Sequence, residues 1–298
     1  MTSSDPASTL LIFLRSLLYG ILEGITEWLP VSSTGHLILL GQLLELDVSP
    51  DPVFNAEFAE LFEVVIQLGA IAAVALVYRR RLFGDLFQPA RRKNGIRRWL
   101  LIILATIPAA CAGTVIDRLT EAVSGKDIHS LLYTPQVAAA ALIVWGIFFI
   151  AAEKRRTSRQ ILTSVEEIRP ATALKIGTFQ VFSLIPGTSR SGSTVLGGML
   201  SGLDRSTAAE FSFFMAIPVM AGAGLIKLVG FFNFIAESGA QIPANAMISL
   251  TVGILTSFLV SLPVIRFLTD LVKKHSFIPF AVYRILLGAA VLVYSELF

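Results

Sequence analysis

Of the 298 residues, 54% are hydrophobic and only 15% charged, with a mean hydropathy of +0.74. Soluble domains carry about a quarter charged residues, so the composition excludes one and points to a chain that lives in a bilayer. The net charge of +3, from 24 Lys+Arg against 21 Asp+Glu, sits in short basic runs between apolar segments, a pattern that orients membrane helices and excludes a nucleic-acid surface. The single cysteine, Cys111, rules out an internal disulfide and a thiolate-rich metal site, and its apolar setting predicts a packing role.

The opening residues MTSSDPASTL lack the basic stretch and cleavage site of a secretory signal, so the first apolar segment is expected to persist in the mature chain. That segment, 10–46, and a later one, 173–203, are broken midway by Pro, Gly, Ser and Thr, and both read as re-entrant helix pairs. Backbone that leaves a helix at membrane depth must be buried in protein or line a wet cavity, so the breaks mark a site. Six further stretches, 58–78, 100–116, 135–152, 208–232, 246–268 and 280–298, approach the length of a transmembrane helix.

Loop charges set the orientation. The 79–98 loop holds eight Lys/Arg and 154–175 holds six, so both are expected in the cytoplasm with the turn at Lys273 and Lys274. The acidic 42–60 loop, 117–134 and 233–243 are expected outside. The fold predicted is an all-α polytopic integral membrane protein, one domain over 1–298, with six transmembrane helices and two re-entrant pairs. The second half repeats the first upside down, over about 8–153 and 170–298. At an offset of 156, Pro30 matches Pro186, Ser32 matches Thr188 and Ser33 matches Ser189; Thr34-Gly35 recurs as Ser191-Gly192 after one extra residue. Glu63 and Glu210 occupy similar positions on the helices that follow.

The first break reads Glu23-Gly-Ile-Thr-Glu27-Trp-Leu-Pro-Val-Ser-Ser-Thr-Gly-His36. Glu23 and Glu27 fall on one helix face a turn apart. Such a pair repels unless a cation or shared proton intervenes, and each acid costs about 3 kcal/mol to insert at the bilayer centre. One reading is a cation site, where oxygen ligands suit Mg2+ or Ca2+ better than zinc or copper. The other is a helix end where both acids meet water. Hydroxyls at Ser32, Ser33 and Thr34, beside the His36 imidazole, suit an oxyanion and covalent catalysis; alternatively they bond backbone freed by the break. His129 and His275 read as surface residues.

The second break reads Ile185-Pro-Gly-Thr-Ser-Arg190-Ser-Gly-Ser-Thr194. A guanidinium at such a depth requires an anion: a phosphate, which its planar fork matches, or Glu23 or Glu27 in an ion pair. Ser189 and Ser191 flank it. Glu63 and Glu210 read as braces of the core, and Lys227, Arg266 and Arg284 as side chains that snorkel or pair near helix ends.

With these residues in view, the chain resembles the undecaprenyl-diphosphate phosphatases that confer bacitracin resistance. The resemblance covers nearly the whole chain and rests on the two breaks, on Phe62-Glu-Val-Val-Ile-Gln-Leu-Gly69, and on Glu210-Phe-Ser-Phe near Pro218. It implies that Glu23 and Glu27 form the family's acidic motif, which with the cation reading above makes them the expected metal ligands, that Ser33 and His36 belong to the catalytic loop, and that Arg190 binds phosphate. Thr34, Ser189 and Ser191 would assist it. Ser33 is the candidate nucleophile, with His36 or Glu27 taking its proton; attack by water activated by the same residues stays open.

The implied reaction removes the terminal phosphate of a polyprenyl diphosphate and returns the monophosphate carrier to cell-wall synthesis. The implied setting is the bacterial plasma membrane, with the site open to the outer face and membrane lipids as neighbours. A second copy of the chain is left open as a partner. A different class of lipid phosphatase joins Pro-Ser-Gly-His and Ser-Arg blocks to a distal His and Asp; here no histidine follows Arg190 until His275. The rival from another functional class is a secondary transporter or lipid flippase, since inverted repeats are typical of carriers.

Overall fold

A computed structural model describes residues 6–125, 131–154 and 161–297; His129 lies outside them. The long helices in chain order are α1 Pro6–Thr26, α2 Ser33–Leu43, α3 Pro52–Val77, α4 Arg92–Ser124, α5 Pro135–Lys154, α6 Pro170–Gln180, α7 Arg190–Leu200, α8 Arg205–Ser238, α9 Ala244–Lys274 and α10 Ile278–Leu297. Among the described residues the extended contact is a single parallel bridge, Leu162 to Leu203. Seven of these helices, α1, α3, α4, α5, α8, α9 and α10, are long and apolar enough to cross a membrane. The protein is therefore an all-α, multi-pass membrane protein. Helix α1, the first arm of the first break, reaches spanning length in addition to the six predicted segments.

Helix boundaries follow local chemistry. The Asp51 side chain accepts the Val53 N–H with Pro52 in the first turn of α3, and Asp204 Oδ1 accepts the Thr207 N–H at 2.6 Å to open α8. Gly125 and Gly239, at φ 70° and 67°, close α4 and α8. Helix α4 therefore overruns the predicted 100–116 span and takes up residues 117–124 of the expected 117–134 loop. Polar residues there carry the helix on until a glycine stops it. Cys111 is exposed on α4, so it faces the surroundings instead of packing.

Helix α1 lies along α9, α5 along α10, α6 along α4, and α3 between α8 and α9. Without a hydrophobic drive between helices in lipid, close approach by small residues and buried hydroxyl pairs hold such contacts. A Cβ at Gly20 would sit 2.7 Å from the Gly253 carbonyl oxygen, and Ser16 Oγ lies 2.8 Å from Ser249 Oγ. One aromatic cluster, Phe54, Phe58, Phe62 and Phe231, packs beneath one end of the bundle. Trp28, Phe213, Phe214 and Tyr78 pack in the other half.

The two ends differ in charge. At the basic end Arg98 binds Asp85 at 2.9 Å and Glu166 at 2.6 Å, Arg81 binds Glu210 at 2.5 Å, and Arg205 grips Glu153 with two N–H groups. The two basic loops thus meet each other, and Glu210 braces this end as expected. At the opposite end Lys227 binds Glu60 at 2.5 Å and Thr9 lies 3.3 Å from Asn245.

Candidate active site

Both breaks end in the same backbone device. Ser32 and Ser189 are the positive-φ residues other than glycine among the described residues, at 75° and 74°. Each caps an eleven-residue helix: Ser32 Oγ accepts the Gly35 N–H at 3.2 Å, and Ser189 Oγ accepts the Gly192 N–H at 3.0 Å. The structural match therefore pairs Ser32 with Ser189, Ser33 with Arg190 and Gly35 with Gly192. It corrects the pairing of Ser32 with Thr188 and Ser33 with Ser189: the extra residue falls before the cap, not after it. Gly187, at φ 87°, absorbs that residue where its missing Cβ would lie 2.1 Å from the Ala138 carbonyl oxygen.

The first residues of α2 and α7 converge on one carboxylate. Ser33 Oγ donates to Glu27 Oε2 at 2.6 Å, and Arg190 Nη2 donates to Glu27 Oε1 at 3.0 Å. Arg190 is fixed from behind by the Ser212 carbonyl oxygen at 2.6 Å. All three side chains are almost fully buried. Two short helices thus present their first side chains to the same carboxylate. Glu27, Ser33, Thr34, Ser189 and Arg190 line a cavity of about 260 Å³. Of the two alternatives for Arg190, this structure has the ion pair with Glu27; an arriving phosphate would compete for the same fork.

His36 and Ser191 do not line this cavity. His36 Nδ1 lies 2.6 Å from the Ser32 carbonyl oxygen, which can only accept, so this nitrogen carries the proton. In the neutral ring Nε2 then accepts from the Tyr283 hydroxyl at 2.7 Å. Both nitrogens are engaged away from Ser33. Ser191 Oγ donates to the Glu27 carbonyl oxygen at 3.0 Å and stitches the second break to the first.

Glu23 is 0% exposed and neither of its carboxyl oxygens has a hydrogen-bond partner. A buried carboxyl left so is costly unless a proton or cation joins it. No cluster of three or more His, Cys, Asp or Glu fit to hold a metal occurs among the described residues. Of the two predicted cation ligands Glu27 lines the cavity and Glu23 does not; the unpartnered Glu23 oxygens suit a hard cation, since Mg2+ commonly binds one or two carboxylates.

Sequence reasoning missed three features. Arg284, expected to snorkel or pair near a helix end, is instead 0% exposed; it donates to the Pro30 carbonyl oxygen at 2.9 Å and to those of Gly187 and Thr188 at 2.9 and 2.8 Å. It clamps the two breaks together with neutral oxygens alone. Its signal was there: a lone charge seven residues into an apolar helix is too deep to snorkel cheaply. Glu63 lines the cavity and accepts from the Tyr133 hydroxyl, where the sequence suggested only a brace. Burial, reinforced by the Glu63 charge, pushes the Tyr133 phenol well up, which keeps it a donor. Lys227 pairs with Glu60, in keeping with the sequence expectation that it snorkels or pairs, but its place on the cavity wall was not foreseen. Arg266 is exposed, as expected of a snorkelling side chain, and His275 is exposed at the end of α9.

Beside the polar cavity, a cleft of about 900 Å³ runs between α4 and α8. The buried residues of α4 end at Ala105, and the half of that helix toward Gly125 forms one wall of the cleft. Its walls carry small residues, among them Ala109, Gly113, Gly222 and Gly230, together with charged ones such as Glu57, Asp117, Arg118 and Glu121.

Comparison with known proteins matches residues 16–290 to the model of the bacitracin resistance protein BacA family. A protein of Streptococcus pyogenes serotype M3 named undecaprenyl-diphosphatase is 44% identical over 287 residues, 95% of this chain and 96% of its own. One of the same name from Streptococcus gordonii is 43% identical over 94% of this chain and 95% of its own. With a match over nearly its full length, the chain belongs to the bacitracin resistance protein BacA family.

Proposed function

We propose that this chain is an undecaprenyl-diphosphatase: it hydrolyses the terminal phosphate of undecaprenyl diphosphate, recycles the monophosphate carrier for cell-wall synthesis, and so gives bacitracin resistance. The names of its relatives support the reaction and do not favour the transporter reading. The observation that carries the proposal is the Glu27 carboxylate holding a hydroxyl on one oxygen and a guanidinium on the other, in a cavity that adjoins the larger cleft between α4 and α8.

Ser33 attacks the terminal phosphorus and Glu27, at hydrogen-bond distance, takes its proton; of the two bases considered, the contacts support Glu27 over His36. The bond from the terminal phosphorus to the bridging oxygen breaks, and its electron pair leaves with the prenyl monophosphate. Water then attacks the phosphorus on Ser33: its oxygen stays with the released phosphate, the bond from phosphorus to Ser33 Oγ breaks, and Glu27 returns its proton to Oγ. Arg190 leaves Glu27 to grip the phosphate oxygens, with Thr34 and Ser189 beside it, while Ser191 acts through the backbone it holds. Glu23 and Glu27 would hold a Mg2+ or Ca2+ ion, which when bound neutralises phosphate charge in a medium of low dielectric. The prenyl tail lies in the cleft between α4 and α8.

We read the membrane as the bacterial plasma membrane and the cavity as open to its outer face. The cavity wall reaches Glu60, Leu132, Tyr133 and Lys227, at the end of the bundle away from the basic loops. The inverted repeat over about 8–153 and 170–298 draws support from the paired caps and from packing: α1 against α9 has its counterpart in α6 against α4.

Phosphate release from undecaprenyl diphosphate by the detergent-purified chain, with magnesium and with a chelator, tests the reaction. Metal-dependent release is expected, with Glu23→Gln raising the half-saturating magnesium concentration about tenfold or more. Absence of release across a magnesium and calcium titration would sink the proposal; release indifferent to chelator would sink the cation site alone.

A further inference from the structure

We propose that Lys227 holds the phosphate that stays on the lipid, and thereby makes the site one for diphosphates; this rests on the diphosphatase reading above. Among the described residues, Arg190 and Lys227 are the two cationic side chains lining the polar cavity. Arg190 is anchored at the catalytic end by Glu27 and Ser212. Lys227 lies on the wall that the cavity shares with the α4–α8 cleft. A prenyl diphosphate has the same order of parts: the phosphoryl group attacked, the phosphate retained, then the tail. With the terminal phosphate at Arg190 and the tail in the cleft, the retained phosphate falls at the junction where Lys227 stands.

Lys227 is free to serve because its present partner is cheap to leave. The Lys227 and Glu60 side chains are 35% and 44% exposed, and solvent-screened pairs of this kind contribute little. An ammonium on a flexible stem can swing to phosphate as a point charge. As the bridging bond breaks, negative charge grows on the retained phosphate, and Lys227 meets it there. The same placement explains why hydrolysis stops after one phosphate. The monophosphate product, held by tail and Lys227, cannot bring its own phosphorus to Ser33.

The test is direct binding to the detergent-purified full chain, titrated with farnesyl monophosphate and, separately, with inorganic phosphate. In Lys227→Gln, the dissociation constant for farnesyl monophosphate should rise about tenfold or more, while that for inorganic phosphate stays within about twofold of wild type. Lys227→Arg should restore most of the lipid phosphate affinity, and Glu60→Gln, which frees the lysine, should tighten it. Unchanged farnesyl monophosphate binding in Lys227→Gln, or equal weakening of both ligands, would overturn the assignment. Because the readout is binding, it stands apart from turnover: a wild-type chain that releases no phosphate overturns the diphosphatase reading instead.

Discussion

In the first break Ser32 turns the chain at φ 75° and caps α2; in the second Ser189 does the same for α7 at φ 74°. At the next position the first break carries Ser33 and the second Arg190, and both reach the same carboxylate. Matching backbones thus present different chemistry: a hydroxyl with its acid from one half, a cation from the other. Neither half makes a site alone. The identity of the two caps sets where the two side chains point, and the difference at the following residue sets what each does. Arg284, bound to carbonyl oxygens of both breaks, keeps the halves in register.

The strongest way to break this comparison is at the shared carboxylate. Glu27→Gln keeps the size of the side chain but removes both the proton acceptor and the anchor of Arg190. Loss of a general base lowers turnover by about 10²–10⁴-fold, and the double role puts this variant at the upper end. Phosphate release, with a melting curve to confirm the fold, checks it; a variant within tenfold of wild type would remove Glu27 from the chemistry.

The second half is probed by Arg190→Lys, which keeps charge but loses the fork. We expect a fall of about 10²–10³-fold, as for removal of an oriented donor to a developing oxyanion. Full recovery by lysine would reduce Arg190 to a point charge, and full activity in Arg190→Ala would end its phosphate-binding role.

The smallest effect belongs to His36, which faces Tyr283 and not Ser33. His36→Gln should stay within about tenfold of wild type and keep the shape of the pH–rate profile, because the base is elsewhere. A variant that lost one limb of that profile would reinstate the histidine as the base.

The breaks, the spans, the acid pair and Arg190 were legible because each is a local departure from an apolar background: a Pro-Gly-Ser run, or a charge where lipid penalises one. What the sequence concealed depends on distant neighbours or on backbone angles. Pro30 and Pro186 align at one offset and the cap serines at another, and nothing in the letters tells on which side of the cap the extra residue lies. Lys227 and Glu60, or Glu63 and Tyr133, are remote in the chain and meet only when α3, α8 and the 131–134 segment come together. The overrun of α4 was hidden because hydropathy marks where apolar residues stop, whereas the helix itself ends at Gly125.

The central claim is that the hydroxyl at the start of α2 attacks the phosphate gripped from the start of α7. Its most direct test is the rate of phosphate release from undecaprenyl diphosphate by purified Ser33→Ala beside wild type, at saturating substrate and magnesium. The account predicts a loss of more than about 10³-fold, about 4 kcal/mol in the barrier. Turnover within tenfold of wild type, about 1.4 kcal/mol, would contradict it and leave Ser33 only orienting a water that Glu27 activates.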